Sequence, residues 1–457
     1  MKGKRVVSAD WRIPSPVSAA VLSESEWGEV CGSLGGRPEK SIRLRPQLAL
    51  GVGQSLELPY VSEPVPWYSG GCYLPGVVQP AACLEHAAGL FFVQDAGSML
   101  ALRLLNVQPW EQVADICAAP GAKASAILEV VGPGGGFLLA NEPIQSRQSV
   151  LSLSLARVGF PGYVVTGVDP ERLSVGLSGV FDAVLVDAPC SGQSMVARDR
   201  QSLAAFSESQ VQHSAARQRR ILSHAARLVR PGGRLVYSTC TFATAENEGA
   251  AAWFLGEHGN WCEEPEPGLE CWRSAEFPGG YRVWPHRDRC AGGYAIRLRR
   301  TDGGGSGAWE RLSCGDFEAA SCWDDAGVGR LTGVHLETRG RQRFGWSERA
   351  CRAVLECAVS GPEVAYQPAK HWLPSHALSL RRDGGWEPAS VLELGDAEAG
   401  RYLEGQALGS CGAGWHVVTW RGNPLGWVHS HPARANNCLP AAARQRLPAL
   451  PAGGGGK

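Results

Sequence analysis

The sequence predicts a doubly wound α/β domain in mid-chain, preceded by a small N-terminal α+β region and followed by a C-terminal mostly-β module. Three observations predict it. From about residue 112 to 300, short apolar runs of strand length alternate with longer segments of helical spacing, the pattern of a parallel sheet covered on both faces. The longest helical segment, 207–229, is closed by Pro231-Gly232-Gly233, a strong stop signal. From residue 366 to about 448 the chain changes character, to short strands punctuated by Gly and Pro with one helix at 396–403.

Taken in order, residues 1–90 are rich in Pro, Gly and Trp with weak periodicity, and 40–50 reads as one strand of the N-terminal region. Strands are predicted at 113–116, 136–141, 163–168, 181–187 and 233–238, with helices at 122–130, 144–158 and 207–229 between them. Two later runs, 281–284 and 294–299, read as antiparallel edge strands, so the α/β domain is expected to span 91–300. Residues 301–307 (TDGGGSG) have the composition of a flexible linker. An intermediate region, 308–365, shows no clear period before a predicted helix at 347–359. The C-terminal module is expected over 366–450.

Composition bounds the function. The chain has 457 residues, 44% hydrophobic and 19% charged, which suits two or three globular units and excludes a disordered or coiled-coil protein. No apolar run approaches bilayer length and no signal-peptide stretch is present, so a cytoplasmic, non-membrane protein is expected. The 15 cysteines include no C-x-x-C pair, which argues against a zinc site or a disulfide framework; no metal is expected. Acidic and basic residues balance at 44 each, so any nucleic-acid binding must come from a local patch.

Open α/β sheets bind ligands at the carboxyl ends of their strands. After the first strand comes Asp115-Ile116-Cys117-Ala118-Ala119-Pro120-Gly121-Ala122-Lys123, a small-residue turn feeding a helix whose N-terminal amides can face a ligand. Glu142 follows the second strand and Asp169 the third. Asp187-Ala188-Pro189-Cys190 follows the fourth, and Thr239-Cys240 the fifth. A lone cysteine is most often an inert buried thiol, but two at the same ends of strands about 4.8 Å apart can face one pocket. Lys123, the only lysine between Lys40 and Lys370, is a candidate cation for that pocket.

These residues resemble a known family. DICAAPGAK, ANEPIQSR, DAPCSGQSMVARD, YSTCTF with Ala245 to Glu248 following, and the upstream Gln94-Asp95-Ala96-Gly97-Ser98 are similar to the Sun/Fmu family of RNA cytosine-C5 methyltransferases over about residues 90–300. Tyr402-Leu403-Glu404-Gly405, Gly414-Trp415-His416-Val417-Val418 and Gly422-Asn423-Pro424-Leu425-Gly426-Trp427 resemble the C-terminal RNA-binding module of the bacterial RsmF-type 16S rRNA branch. The resemblance implies a Rossmann-like methyltransferase domain, a PUA-like RNA-binding module and an RNA-facing N-terminal region. It also implies S-adenosyl-L-methionine as cofactor and 16S rRNA or the small ribosomal subunit as partner, with the protein acting as a monomer.

By the same resemblance Cys240 is the nucleophile that attacks cytosine C6, Cys190 assists proton removal or product release, and Asp187 holds the cytosine edge with Lys123 nearby. Ala118, Ala119, Pro120, Gly121, Ala122, Lys123 and Ala124 cradle the cofactor together with Asp187. Glu142 takes the ribose hydroxyls and Asp169 the adenine. Arg282, Arg287, Arg289, Arg297, Arg299 and Arg300, interleaved with Tyr281, Trp284 and Tyr294, are expected to form an RNA-contacting surface.

This chain departs from the family pattern at several positions. Ala122 and Ala124 stand where Gly and Thr are usual, and Ser154 stands for Asn. His429 and Asn436 replace lysines, and Leu439-Pro440 replaces Tyr-Pro. Competing readings are methylation of tRNA, a catalytically weak RNA-binding scaffold, and a cysteine hydrolase. The last needs a histidine beside Cys190 or Cys240; His213 and His224 fall within a helix and His286 follows an edge strand.

Overall fold

A computed structural model describes residues 13–46, 63–302, 321–325, 327–347 and 352–445. The N-terminal region begins with the helix Glu24–Leu34, started by a capping box in which Ser23 and Glu26 satisfy each other's backbone amides. Four strands follow, β1 (Ser41–Leu44), β2 (Glu63–Val65), β3 (Tyr68–Tyr73) and β4 (Phe91–Val93), in the order β2-β3-β1-β4. The boundary expected at residue 90 therefore falls just before the last strand of this sheet. Of the strand expected at 40–50, Ser41–Leu44 forms one, and residues 47–50 are outside the described residues.

The central sheet carries β5 (Gln112–Asp115), β6 (Phe137–Asn141), β7 (Tyr163–Thr166), β8 (Phe181–Asp187), β9 (Val229–Thr239), β10 (Trp261–Glu263), β11 (Gly280–Val283) and β12 (Gly293–Arg300). Strands β5 to β7 are buried along their whole length, as apolar strands covered on both faces must be. Pairing is parallel from β7 through β6, β5 and β8 to β9, and antiparallel from β9 to β12. The chain winds outward from β5 through β6 to β7, then returns to the other side of β5 with β8. That reversal opens a crevice at the carboxyl ends of β5, β6 and β8. The helix Glu208–Leu228 covers β8 and β9; Ser207 caps it, Val211, Ala215, Leu222 and Ala225 face inward, and Arg217, Arg219 and Arg220 face solvent as their spacing implies.

The later strands are β13 (Ser321–Asp325), β14 (Gly329–Arg339), β15 (Gln342–Ser347), β16 (Ala358–Ser360), β17 (Glu363–Tyr366), β18 (Leu373–Pro374) and β19 (Trp386–Pro388). The helix expected at 347–359 shrinks to Arg352–Glu356, with 348–351 outside the described residues. Its last residues become β16, which adds antiparallel to β7 at the edge of the central sheet. Tyr163 Oη donates to Gly361 O at 3.1 Å beside that seam. The α/β sheet thus does not end at Arg300: the intermediate region closes its exposed edge, a solution favoured because unpaired strand edges invite aggregation. Of the linker expected at 301–307, residues 303–307 are outside the described residues.

The C-terminal module contains β20 (Val391–Glu393), β21 (Gly414–Trp420), β22 (Asn423–Ser430), β23 (Ala435–Asn437) and the helix Asp396–Leu403 where the sequence predicts it. Its core, with Leu394, Tyr402, Leu403 and Trp420, takes in Ala88 and Leu90 of the N-terminal region. Arg382 donates to Ala88 O at 2.6 Å through its guanidinium and to Gly159 O at 2.9 Å through its backbone amide. The module is therefore seated on the rest of the chain. Among the described residues no helix is long and apolar enough to cross a membrane.

Candidate active site

The turn after β5 leads into the helix Ala122–Val131 through Gly121, whose φ of 111° is a left-handed conformation open to glycine. A Cβ at Gly121 would lie 2.6 Å from Cβ of Ser154. Ser154 Oγ donates to Pro120 O at 2.8 Å, so the smaller residue found in place of Asn buttresses the turn from beneath. Ala122 is the first helical residue and is not among the positive-φ positions; alanine there carries no left-handed strain. Ala118 and Ala119 are buried, with Ala118 N donating to Asn141 O at 2.9 Å. Ala124 is placed differently from the expectation: its methyl is fully buried in the core with Ala96 and Met99, because the helix turns that position inward.

Lys123, one residue into the helix, reaches back over the sheet so that Nζ lies 2.7 Å from Oδ2 of Asp187 at the end of β8. Ser238, paired in register with Asp187, donates its hydroxyl to Oδ1 at 2.7 Å. Burial alone would lower the Lys123 ammonium, but the adjacent Asp187 carboxylate outweighs it and holds the group above its ordinary value. Asp115, at the end of β5, is buried; its Oδ1 accepts from Cys117 N at 3.3 Å and its Oδ2 has no hydrogen-bond partner among the described residues. Burial, reinforced by the charge of Asp187, pushes the Asp115 carboxyl up to about 7.

Glu142, buried after β6, accepts from Ile144 N at 2.9 Å and pairs with Arg147 at 3.0 Å. Asp169, after β7, caps the helix Pro170–Gly176 and pairs with Arg220 at 2.8 Å. Both acids thus stand at the expected strand ends, each already engaged by an arginine.

The two cysteines meet. Cys190 Sγ and Cys240 Sγ are 3.3 Å apart, a distance at which one proton serves both sulfurs. The hydrogen bond from Cys190 is the main influence lowering the Cys240 thiol below its ordinary value; burial and Asp187 oppose it, and Lys123 and Ser194 add to it. The same bond, with burial, raises Cys190 well above the usual thiol range. At this distance either sulfur can donate to the other.

Sequence reasoning missed the groups that hold this pair. Glu246 is fully buried and accepts from Ser191 N at 2.9 Å, from Ser191 Oγ at 2.5 Å and from Gln218 Nε2 at 2.8 Å. Asn247 accepts from Thr239 Oγ1 at 2.5 Å and donates to Thr241 O at 3.0 Å. Both sit in the Ala245 to Glu248 stretch, whose acids and amide just past the Thr-Cys strand end were the available signal. Asp95 accepts from Gly97 N and from the side chain of Arg198, tying the segment Gln193–Arg198 to the N-terminus of the helix Ala96–Leu105.

The arginine-rich segment is a correction. Tyr281, Trp284 and Tyr294 are buried, Arg282 is buried against Glu248 at 2.6 Å, and Arg297 against Glu266 at 2.8 Å. Arg299 pairs with Glu264, Arg300 with Asp302, and Arg289 with Glu39 and Glu63. Strand β12 lies between β9 and β10 rather than at the edge, and two of its arginines, Arg297 and Arg299, meet carboxylates from the segment 264–266. Of the six, only Arg287, 3.8 Å from Asp288, keeps a loosely held guanidinium. In the C-terminal module the two lysine replacements face each other, His429 opposite Asn436 across β22 and β23, with the His429 ring 4.6 Å from that of Trp415.

Residues 102–299 match the family described as 16S rRNA methyltransferase RsmB/F, and residues 389–445 the methyltransferase RsmF PUA domain. A relative named ribosomal RNA small subunit methyltransferase F, from Klebsiella pneumoniae, is 37% identical over 276 residues, 57% of each chain. The chain spans a little over half the length of the curated relatives it matches. Two solved structures share the fold. A methyltransferase homolog from Pyrococcus horikoshii has 23% identity and a TM-score of 0.53, covering 62% of this chain and 92% of its own. NSun6 from the same organism, solved with SFG, has 17% identity and a TM-score of 0.55, covering 62% and 97%.

The cofactor of this family is S-adenosylmethionine. The residues fit it: the amides after β5 would meet its carboxylate, Glu142 would accept from its hydroxyls, and Asp115 Oδ2, without a partner among the described residues, would accept from its cationic group. The chain thus joins a domain similar to the RsmB/F methyltransferases to a domain similar to the RsmF PUA domain.

Proposed function

We propose that the protein transfers a methyl group from S-adenosylmethionine to C5 of a cytosine in 16S rRNA, through a covalent bond between Cys240 and C6 of the base. The observation that carries this reading is the 3.3 Å approach of Cys190 and Cys240 at adjacent strand ends, beside the Lys123–Asp187 pair. Bound in the crevice, S-adenosylmethionine supplies an electrophilic methyl as a sulfonium.

Cytosine C5 is a weak nucleophile, and the residues overcome this. The Cys240 thiolate adds to C6, and the displaced electron pair makes C5 the nucleophilic carbon of an enamine. As Cys240 adds, the ring nitrogen takes a proton from solvent; Asp187, fixed by Lys123 and Ser238, accepts from that N–H and stabilises the positive charge the ring gains when C5 takes the methyl, and that proton returns to solvent on release. Once C5 carries the methyl, its proton leaves by way of Cys190 to solvent, the C6–Sγ bond breaks and the Cys240 thiolate returns. A base paired in a helix must be extruded to reach Cys240. The PUA domain, seated against the N-terminal region, is the RNA-holding module in this reading.

Radiolabelled methyl transfer tests the assignment. With labelled cofactor, the wild-type protein is expected to label 16S rRNA at a bisulfite-resistant cytosine, and the Cys240→Ala variant is expected to label nothing. Label appearing on tRNA alone, or surviving in the variant, would overturn it.

A further inference from the structure

We propose that Glu246 is the positioning residue that decides which of the two thiols keeps the proton, holding it on Cys190 so that Cys240 carries the charge. The inference rests on the reading of Cys240 as nucleophile and adds a residue to it.

One carboxylate grips both cysteine loops. Oε2 accepts from Ser191 N at 2.9 Å and Gln218 Nε2 at 2.8 Å, both groups that only donate. Oε1 lies 2.5 Å from Ser191 Oγ and 3.5 Å from Thr241 Oγ1, and those two hydroxyls are 2.7 Å apart. Ser191 directly follows Cys190, and Thr241 directly follows Cys240. The carboxylate therefore fixes the residue after each sulfur, and through Gln218 anchors both to the helix Glu208–Leu228.

Charge completes the argument. Burial pushes the Glu246 carboxyl upward, while its hydrogen-bond donors favour the ionised form. Its bonds to Ser191 N and Oγ, with Gln218 also donating to Pro189 O at 3.2 Å, put the carboxylate on the Cys190 side of the pair, where an anion disfavours a second negative charge. At Cys240 the Asp187 carboxylate disfavours a thiolate and Lys123 favours one, so the ion pair there brings no net anion. Tyr237, whose hydroxyl donates to the Glu246 carbonyl at 2.6 Å, stays protonated because burial raises it. With a carboxylate bonded into the Cys190 loop and a charge-balanced ion pair at the end of β8, the shared proton rests on Cys190.

The test is alkylation of the protein alone by iodoacetamide at pH 7, with adducts mapped by peptide mass spectrometry. Cys240 is expected to be labelled ahead of Cys190 in the wild type. In Glu246→Gln the ratio of Cys240 to Cys190 labelling is expected to fall about tenfold, one pKa unit of lost discrimination. Glu246→Asp, which keeps the charge, is expected to restore most of the preference. Should Glu246→Gln not fold, Gln218→Leu removes one donor from the carboxylate and is expected to shift the ratio the same way by about threefold. An unchanged ratio in these variants, or equal gains in labelling at both thiols, would assign Glu246 a purely structural role and overturn the proposal. No RNA or cofactor is present, so a preserved thiol preference in a protein that transfers no methyl would instead count against the proposed function.

Discussion

Nζ of Lys123 lies 2.7 Å from Oδ2 of Asp187, an ion pair that joins the helix after β5 to the end of β8 directly beside Cys240. Its two members act on the Cys240 thiol in opposite senses, Lys123 lowering it and Asp187 raising it. Lys123→Met should therefore move the pH profile of Cys240 alkylation to higher pH, with about tenfold less labelling at pH 7 for each unit by which the thiol rises. Asp187→Asn should move it to lower pH, yet cut methyl transfer about 100-fold or more, because the developing ring charge loses its stabiliser. Two profiles shifting in the same direction would contradict the pairing.

Asp115 links the cofactor crevice to stability. Its folded-state pKa, about 7, lies above the ordinary 3.8, so the folded protein binds the extra proton between those values. Stability from this group is fully present below about pH 4 and is lost as pH rises through about 7, by on the order of 4 kcal/mol. Urea unfolding of wild type and Asp115→Asn at several pH values checks this. The difference between them should favour the variant increasingly from pH 4 to pH 7 and then level off.

The turn after β5 separates two adjacent positions. Gly121→Ala places a methyl 2.6 Å from Ser154 Cβ at a φ of 111°, and is expected to cost about 1–3 kcal/mol and weaken S-adenosylmethionine binding. Ala122→Gly, at a helical position, is expected to leave cofactor affinity unchanged and to cost no more than about 1 kcal/mol. Isothermal titration calorimetry and thermal melts distinguish the two.

Arg282 tests the reassignment of the arginine-rich segment. It is buried against Glu248 and also donates to Phe242 O at 3.0 Å. Arg282→Ala leaves Glu248 buried and unpaired, with an expected loss of about 3–5 kcal/mol in chemical denaturation. The salt dependence of RNA binding by the variant that remains folded should not change, since no phosphate contact has been removed.

How much was legible in the sequence follows from the range of the interactions involved. The parallel strands, the helix Asp396–Leu403 and the convergence of Cys190 with Cys240 are written in local periodicity and in the rule that strand ends share one edge. Arg282 of β11 and Arg297 and Arg299 of β12 were misread because their carboxylate partners, Glu248, Glu266 and Glu264, lie 31 to 35 residues away and leave no local trace. Strand β16 was hidden for a related reason: three residues that extend β7 from nearly 200 positions away look like the tail of a helix. Glu246 stood in plain view just past the Thr-Cys strand end. Its role became readable only when the fold brought Ser191 and Gln218 to it.

The most direct test of the central claim is a denaturing gel of protein incubated with S-adenosylmethionine and 16S rRNA substrate. If Cys240 bonds to the base and Cys190 is needed to release it, Cys190→Ala should accumulate a slow-migrating protein–RNA adduct, and the Cys190→Ala, Cys240→Ala double variant should form none. No adduct with Cys190→Ala, or one that persists without Cys240, would contradict the account.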